Sequence, residues 1–159
     1  MDFFGNLELE VIFKLFLAFF LGLILGVERE FAGKEAGPRT YSLVALGSAV
    51  FTVLSMDPQL APDNARMVSQ IIPGIGFIGA GLIIFHQSRV HGLSTAAGIW
   101  IIAAVGIAIG MGNYAVALFA YFLAITSLFV FRKLDIEFKI EKIRKRKEEK
   151  ILYNRQIDQ

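Results

Sequence analysis

Five long runs of apolar residues dominate the pattern of hydrophobic and polar positions along the chain. Each run is close to the roughly 20 residues that a helix needs to cross the hydrocarbon of a bilayer, for which about 17 is the lower end. A bilayer offers no water to unpaired backbone groups, and the runs lack the alternation of a membrane β-barrel, so we expect helices. The pattern predicts an all-α fold, a polytopic membrane helical bundle of about five transmembrane helices at residues 11–27, 41–56, 67–85, 93–111 and 114–131.

The last 28 residues, 132–159, have a different composition. They hold ten Lys and Arg against six Asp and Glu, a net charge of +4, whereas residues 1–131 carry a net charge of −2. Residues 134–141 alternate in the manner of a strand and the residues after them favour a helix, so both structures stay open. We predict a short basic cytoplasmic tail that can bind anionic headgroups. Nucleic acid is not expected as a partner, because the basic run lies beside a membrane and lacks interleaved aromatic residues.

Acidic residues are absent from the 71 positions between Asp63 and Asp135. A soluble globule could not solvate so long a stretch, so the composition excludes an ordinary soluble enzyme and a disordered chain. The chain has no Cys, which excludes disulfides and thiolate metal sites. Acidic residues instead of a basic region precede the first run, so we expect no cleaved signal peptide.

The distribution of Lys and Arg between the runs predicts the orientation of the chain. Three of these residues follow the first run, one follows the second, one follows the third, none follows the fourth, and ten lie in the tail. If the amino terminus is outside, the three residues after the first run, the one after the third run and the ten in the tail all lie on the cytoplasmic side. The sequence therefore predicts an external amino terminus and a cytoplasmic carboxyl terminus.

The loop at residues 26–40 carries six charges of alternating sign at a membrane boundary. Charges in that position are costly unless they are paired or hydrated, so we expect ion pairs between Glu28 and Arg39 or between Arg29 and Glu35. Two interpretations stay open. The loop is either a charged hairpin that holds two helix ends together, or a site for an ion, a lipid headgroup or a protein partner.

Short polar side chains next to the runs predict helix caps. Thr40 follows a Gly-Pro turn and is predicted to cap the second helix, and Ser94 and Thr95 are predicted to cap the fourth. The positive dipole end of the fourth helix could then hold an anion or the carboxylate of Glu28. The candidate ligand or partner site comprises Glu28, Arg29, Lys34, Arg39, Thr40, Arg89, Ser94 and Thr95.

No group of residues suggests catalysis or a bound metal. His86 and His91 are five residues apart, and no Cys or acidic residue near them could complete a zinc site. No nucleophile lies beside a base in the pattern that covalent catalysis requires. We therefore expect neither an enzyme nor a cofactor.

The third run combines glycines with Pro73 and Gln70. Its residues 74–79 match the G-x-G-x-x-G pattern, but without a preceding strand and a following acidic residue they predict no dinucleotide site. Glycines let neighbouring helices approach closely, and Pro73 frees a backbone carbonyl beside Gln70. The same small-residue spacing recurs in the first and fourth runs, for packing within one chain or between copies. The candidate intramembrane polar and packing residues are Gln70, Pro73, Gly76, Gly79, Gly81 and Trp100.

Three segments resemble the MgtC/SapB family of small bacterial inner-membrane proteins. They are GVEREFAGKEAGPRTYSLVALGSAVF, QIIPGIGFIGAGLII and VHGLSTAAGIWIIAAVGIAIGMGNY, which occur in the family's order within residues 22–114. The resemblance implies about five spans and an association with growth in low magnesium and, in some members, with survival inside host cells. Longer members end in a cytoplasmic regulatory-type domain, which we expect to be missing here. The motif residues are Glu28, Arg29, Lys34, Arg39, Thr40, Gln70, Gly76, Gly79, Gly81, Thr95, Ala96 and Trp100.

The resemblance and the residues together predict a protein linked to magnesium homeostasis or low-magnesium adaptation. Mg²⁺ is usually bound through carboxylates and waters, and the second to fifth runs contain no Asp or Glu, so no metal site is expected within the bilayer. We favour a membrane regulator that acts through its charged loop. The alternative is an oligomeric transporter or channel for Mg²⁺ or another ion. We expect a homo-oligomer in the lipid bilayer, with a membrane protein or an anionic lipid as its partner.

Overall fold

The structure, a computed structural model, describes residues 2–56, 64–86 and 89–130, so the predicted tail at 132–159 lies outside the described residues. The prediction of an all-α helical bundle is confirmed. The stretch Leu9–Phe31 and the whole of the fourth helix are long and apolar enough to cross a membrane, by length and composition. The helices within the described residues are α1 (Asp2–Phe31), α2 (Pro38–Ser55), α3 (Asn64–Leu82), α4 (Leu93–Gly110) and α5 (Tyr114–Val130).

The first helix is longer than the apolar run that predicted it. It continues past residue 27 to Phe31, because the residues Glu28 to Phe31 include good helix formers and no Gly or Pro. The helix ends in a short turn in which Gly33 has a φ of 64°, a left-handed conformation that glycine adopts without strain. The loop between α1 and α2 is therefore shorter than the predicted 26–40.

Small residues bring the backbones of α1, α2 and α4 close together. A methyl group added to Gly26 of α1 would overlap the backbone of Pro38, and one added to Gly106 of α4 would overlap the carbonyl of Ala45. The α2 helix thus lies between α1 and α4 with its backbone close to both, as small residues allow. In these two helices the G-x-x-x-G spacing serves packing within one chain. The buried residues of α2 are Tyr41, Ser42, Ala45, Ser48, Ala49, Thr52 and Ser55.

The largest apolar side chains lie on the outside of the bundle. Phe77 is 84% exposed and Phe119 is 67% exposed, and many other Phe, Leu and Ile side chains are similarly placed. Soluble proteins bury residues of this kind. Close helix contacts through small residues, combined with many large apolar side chains on the outside, are the arrangement expected of helices that face lipid.

A two-stranded hairpin joins α3 to α4, where the predicted spans leave only residues 86–92 between them. Strand β1 (Ile84–His86) pairs antiparallel with β2 (Arg89–His91), and Phe85 lies opposite Val90. The predicted third span, 67–85, is therefore too long by three residues, because α3 ends at Leu82. The cause is local: Ile, Phe and Val favour extended backbone, and Gly92 follows with a φ of 83° at a position where any side chain would overlap the Leu82 carbonyl.

The contacts between residues divide the chain into two units, Met1–Ala124 and Ile125–Gln159. All the features described below belong to the first unit. Of the second unit the structure describes residues 125–130, which are helical.

Candidate binding surface at the charged end of the bundle

One end of the bundle collects six of the twelve charged residues of the described chain, and we call it the charged end. It consists of the last turn of α1, the loop 32–37 and the first turns of α2 and α4. Tyr41 of α2 donates a hydrogen bond to the backbone carbonyl of Thr95 in α4, at 3.2 Å. A side chain on Gly79 of α3 would meet Ala96 of α4. The end of α3 and the starts of α2 and α4 therefore share this end. The charged residues there are Glu28, Arg29, Glu30, Lys34, Glu35 and Arg39.

Arg29 is buried in the bundle and pairs with its neighbour in sequence. Its Nε and Nη2 atoms each lie 2.5 Å from Oε2 of Glu28. The side chain of Arg29 is 2% exposed and that of Glu28 is 17% exposed. The predicted pairs of Glu28 with Arg39 and of Arg29 with Glu35 are wrong, because α1 continues as a helix and keeps Glu28 and Arg29 together in its last turn. The pair leaves Arg29 within the bundle rather than in a loop.

Glu35 accepts a hydrogen bond from a side chain of α4. Thr95 Oγ1 donates to Glu35 Oε2 at 2.7 Å, and Thr95 is fully buried. This hydrogen bond lowers the pKa of the Glu35 carboxyl, helped by its own backbone N–H and by the positive charges of Lys34 and His91, while partial burial opposes the shift. Thr95 thereby joins the loop, α2 and α4 through two separate bonds.

The predicted helix caps are wrong. The α2 helix begins at Pro38, after Gly37 in an extended conformation, and Thr40 lies within its first turn. Proline is favoured at the first position of a helix because its fixed φ suits the helix and its missing N–H would be unpaired there. The α4 helix begins at Leu93 after Gly92, and neither cap residue makes a side-chain hydrogen bond to its helix. Thr95 is free to bond Glu35 because it does not serve as a cap.

Three predicted site residues line a groove between α2 and α3. The groove has a volume of about 770 Å³, and Arg39, Thr40 and Gln70 line it together with apolar side chains. Arg39 is exposed and makes no ion pair with any described residue. The sequence placed Gln70 in a different group from Arg39 and Thr40, so the structure combines the two groups.

The other predicted residues are dispersed. Lys34 and Ser94 are exposed, Arg89 begins β2, and Pro73 lies exposed within α3. Trp100 is half exposed and borders a small space of about 60 Å³ between α3 and α4. Among the glycines of α3, Gly79 packs against α4, whereas Gly76 and Gly81 have open space on their side-chain sides.

Sequence reasoning missed Tyr41 as a residue of the charged end. It is fully buried, and its hydroxyl holds α2 to α4. The available signal was the spacing of Tyr41, Ala45, Ser48 and Thr52, which places one aromatic residue and three small ones on the same helix face. Within the described ranges, no group of three or more His, Asp or Glu side chains is arranged to hold a metal ion.

Replacing Thr95 with valine should raise the pKa of Glu35 toward its ordinary value, because the largest cause of its lowering is removed. A lowered folded-state pKa stabilises the protein above the unfolded-state pKa, and this contribution is lost as the pH falls below about 4.5 through the folded value. A carbon-13 NMR titration of the Glu carboxyls in detergent micelles measures the change. Ser94→Ala is the control, since Ser94 is the neighbouring exposed hydroxyl. An equal shift in both variants, or none in Thr95→Val, contradicts the assignment.

The apolar helices, the exterior of large apolar side chains and the charged end together define a helical membrane protein. The chain matches the MgtC family over residues 15–136, and it belongs to this family. This confirms the resemblance drawn from the charged loop, the glycine-rich helix and the LSTAA segment.

The chain is also similar in sequence to several individual proteins. The chain is 39% identical over 134 residues to YhiD of Escherichia coli (strain K12), whose name assigns it provisionally to magnesium transport; the match covers 79% of the chain and 62% of YhiD. It is 39% identical over 137 residues to protein SrpB of Synechococcus elongatus, covering 77% of the chain and 75% of SrpB. It is 44% identical over 110 residues to protein MgtC of Salmonella typhimurium (strain LT2), covering 69% of the chain and 47% of MgtC. The chain thus spans less than two thirds of YhiD and about half of MgtC. No solved structure matches the chain.

Proposed function

We propose that the chain is a membrane regulator linked to magnesium homeostasis or low-magnesium adaptation, which binds a partner membrane protein through its charged end. The observation that carries the proposal is a difference between the acidic and the basic groups at this end. Two of its carboxylates have partners within the chain, whereas two of its cations are exposed to a partner. Glu28 is paired with Arg29, and Glu35 accepts the hydrogen bond of Thr95. The cations Lys34 and Arg39 are exposed and form no ion pair with a described residue. Such a surface suits an acidic patch on a partner.

An oligomeric transporter or channel for Mg²⁺ or another ion is the second candidate. The name of the relative YhiD favours it. So does Glu30, an exposed carboxylate at the charged end. Against it, Mg²⁺ is usually held by carboxylates with several waters, and two of the three carboxylates at this end are engaged within the chain. The close packing of α2 between α1 and α4 leaves no room there for a hydrated ion.

The location and assembly of the protein are further parts of the proposal. We place it in the bacterial inner membrane with an external amino terminus, in agreement with the distribution of Lys and Arg. The charged end then faces the cytoplasm. A homo-oligomer is supported by Gly76 and Gly81, which are exposed on α3 and would let a helix of a second copy approach closely.

Flux and partner measurements on the full chain separate the two candidates. In liposomes that contain a Mg²⁺-sensitive dye, we expect no Mg²⁺ entry above that of protein-free liposomes. Tagged protein, isolated from membranes of the cells in which it is native, should retain a partner that is lost in Arg39→Ala or Lys34→Ala. Rapid Mg²⁺ entry that depends on the protein would overturn the regulatory proposal.

The matched control is Arg66→Ala. Arg66 is an exposed arginine near the start of α3, and it precedes Gly79 by 13 residues, which corresponds to about 20 Å along the helix. It therefore lies away from the charged end. Partner retention should be unchanged in this variant, and equal loss in Arg66→Ala and Arg39→Ala would mean that the partner responds to net charge rather than to the charged end.

A further inference from the structure

The groove between α2 and α3 is long, apolar along most of its length and cationic at one end. On α2 its lining residues run from Arg39 to Phe51, and on α3 from Met67 to Ile78. Its volume of about 770 Å³ lies within the roughly 300–1,000 Å³ of typical ligand pockets. Arg39 and Thr40 supply a guanidinium and a hydroxyl at the charged end.

The length of the groove corresponds to one leaflet of a membrane. Arg39 and Phe51 are 12 residues apart, which is about 18 Å along a helix. The hydrocarbon of a bilayer is about 30 Å thick, so one leaflet contributes about half of that. A groove with its cation at the charged end and its apolar part directed toward the bilayer centre has the dimensions of one lipid.

We propose that this groove binds an anionic phospholipid, with an acyl chain along the apolar lining and the phosphate on Arg39. Charge complementarity selects the occupant, because Arg39 is exposed and lacks a carboxylate partner among the described residues. A guanidinium forms paired hydrogen bonds with phosphate oxygens, and the Thr40 hydroxyl lies beside it in the lining. The proposal does not depend on whether the protein regulates a partner or carries an ion.

A helix from a second copy of the chain is the competing occupant. Gly47 and Gly74 leave open space in the groove, and Gln70 could donate a hydrogen bond to such a helix. Helices α2 to α5 contain no Asp or Glu that could pair with Arg39, whereas an anionic lipid satisfies this group directly.

Native mass spectrometry of the purified full chain tests the proposal, with equal amounts of dioleoyl phosphatidylglycerol and dioleoyl phosphatidylcholine as probes. The wild type should retain the anionic lipid in preference. Arg39→Gln should reduce that preference about fivefold, the factor that corresponds to about 1 kcal/mol for one basic residue near anionic lipid. Arg66→Gln, which removes an exposed arginine outside the groove lining, should keep the preference. Equal retention of both lipids by the wild type, or equal losses in the two variants, would overturn the proposal.

Filling the groove provides a test that leaves the cations in place. Gly74→Leu should reduce retention of both lipids, since Gly74 lines the groove and its side-chain side is open. Ala80→Leu is the control, because Ala80 is an exposed residue of α3 that lies outside the lining. Gly47→Leu repeats the test from α2 if Gly74→Leu does not fold. Unchanged lipid retention in a folded groove-filling variant contradicts the proposal.

The absence of cysteine in the chain allows a direct check on the second copy. Gly74→Cys, reconstituted into vesicles of phosphatidylglycerol and phosphatidylcholine, should remain uncrosslinked under mild oxidation when lipid occupies the groove. Efficient formation of a disulfide-linked dimer would show a second copy at this position and would overturn the lipid assignment.

Discussion

Gly106→Ala should destabilise the folded bundle by about 3 kcal/mol, the upper part of the range for overpacked cores. The added methyl group would overlap the backbone carbonyl of Ala45 and would lie 3.0 Å from the Cβ of Ser48. A backbone atom cannot rotate away as a flexible side chain can, so α2 and α4 would have to separate. The free energy of unfolding, measured by titration with sodium dodecyl sulfate in mixed micelles, reports the loss.

Gly47→Ala is the control for this experiment. Gly47 lies in the middle of α2 and has no heavy atom near the position of an added methyl group. Alanine should there be neutral or stabilising by about 0.5–1 kcal/mol, because it restricts the unfolded chain and favours the helix. A similar loss of stability in both variants would contradict the close contact between α2 and α4.

Glu28→Gln should be the second severe change, with a loss of about 3–5 kcal/mol. The substitution keeps the size of the side chain but removes the negative charge that accompanies the buried Arg29. A guanidinium that is 2% exposed and without a counter-ion carries a large desolvation cost. Thermal unfolding in detergent, followed by circular dichroism, measures the effect.

The double variant Glu28→Gln with Arg29→Gln distinguishes the effect of the ion pair from the effects of other contacts of the two side chains. It should recover much of the stability that Glu28→Gln loses, because no unpaired charge then remains in the bundle. A double-mutant cycle gives the coupling free energy between the two side chains. Additive losses in the two single variants would mean that each residue acts through other partners.

The helices could be predicted from the sequence because their signal is local and repeated. Each apolar run indicates a membrane helix, because many consecutive positions avoid water. The spacing of Gly22 with Gly26 and of Gly106 with Gly110 indicates contact between helices. The predicted helix boundaries are wrong where a few residues determine the local backbone structure. The continuation of α1 to Phe31 and the strands of the hairpin depend on short-range propensities that an apolar run does not reveal.

The charged end could be located from the sequence, but its pairs could not. Arg29 has an acidic neighbour on each side in the sequence, and the structure pairs it with Glu28. Thr95 and Glu35 are 60 residues apart, and only the packing of α4 beside the loop brings them together. The same holds for the groove, since the sequence indicates neither the angle between α2 and α3 nor which of their faces stay apart.

The hairpin between α3 and α4 limits the depth at which this end of the protein can be inserted in a bilayer. Its two strands have no third strand beside them within the described chain, so half of their peptide groups point away from any partner. Such groups require water or lipid headgroups, whereas the exposed side chains of Ile84 and Phe85 prefer hydrocarbon. We therefore expect the hairpin to lie at the interface between hydrocarbon and water, where both its peptide groups and its apolar side chains are accommodated.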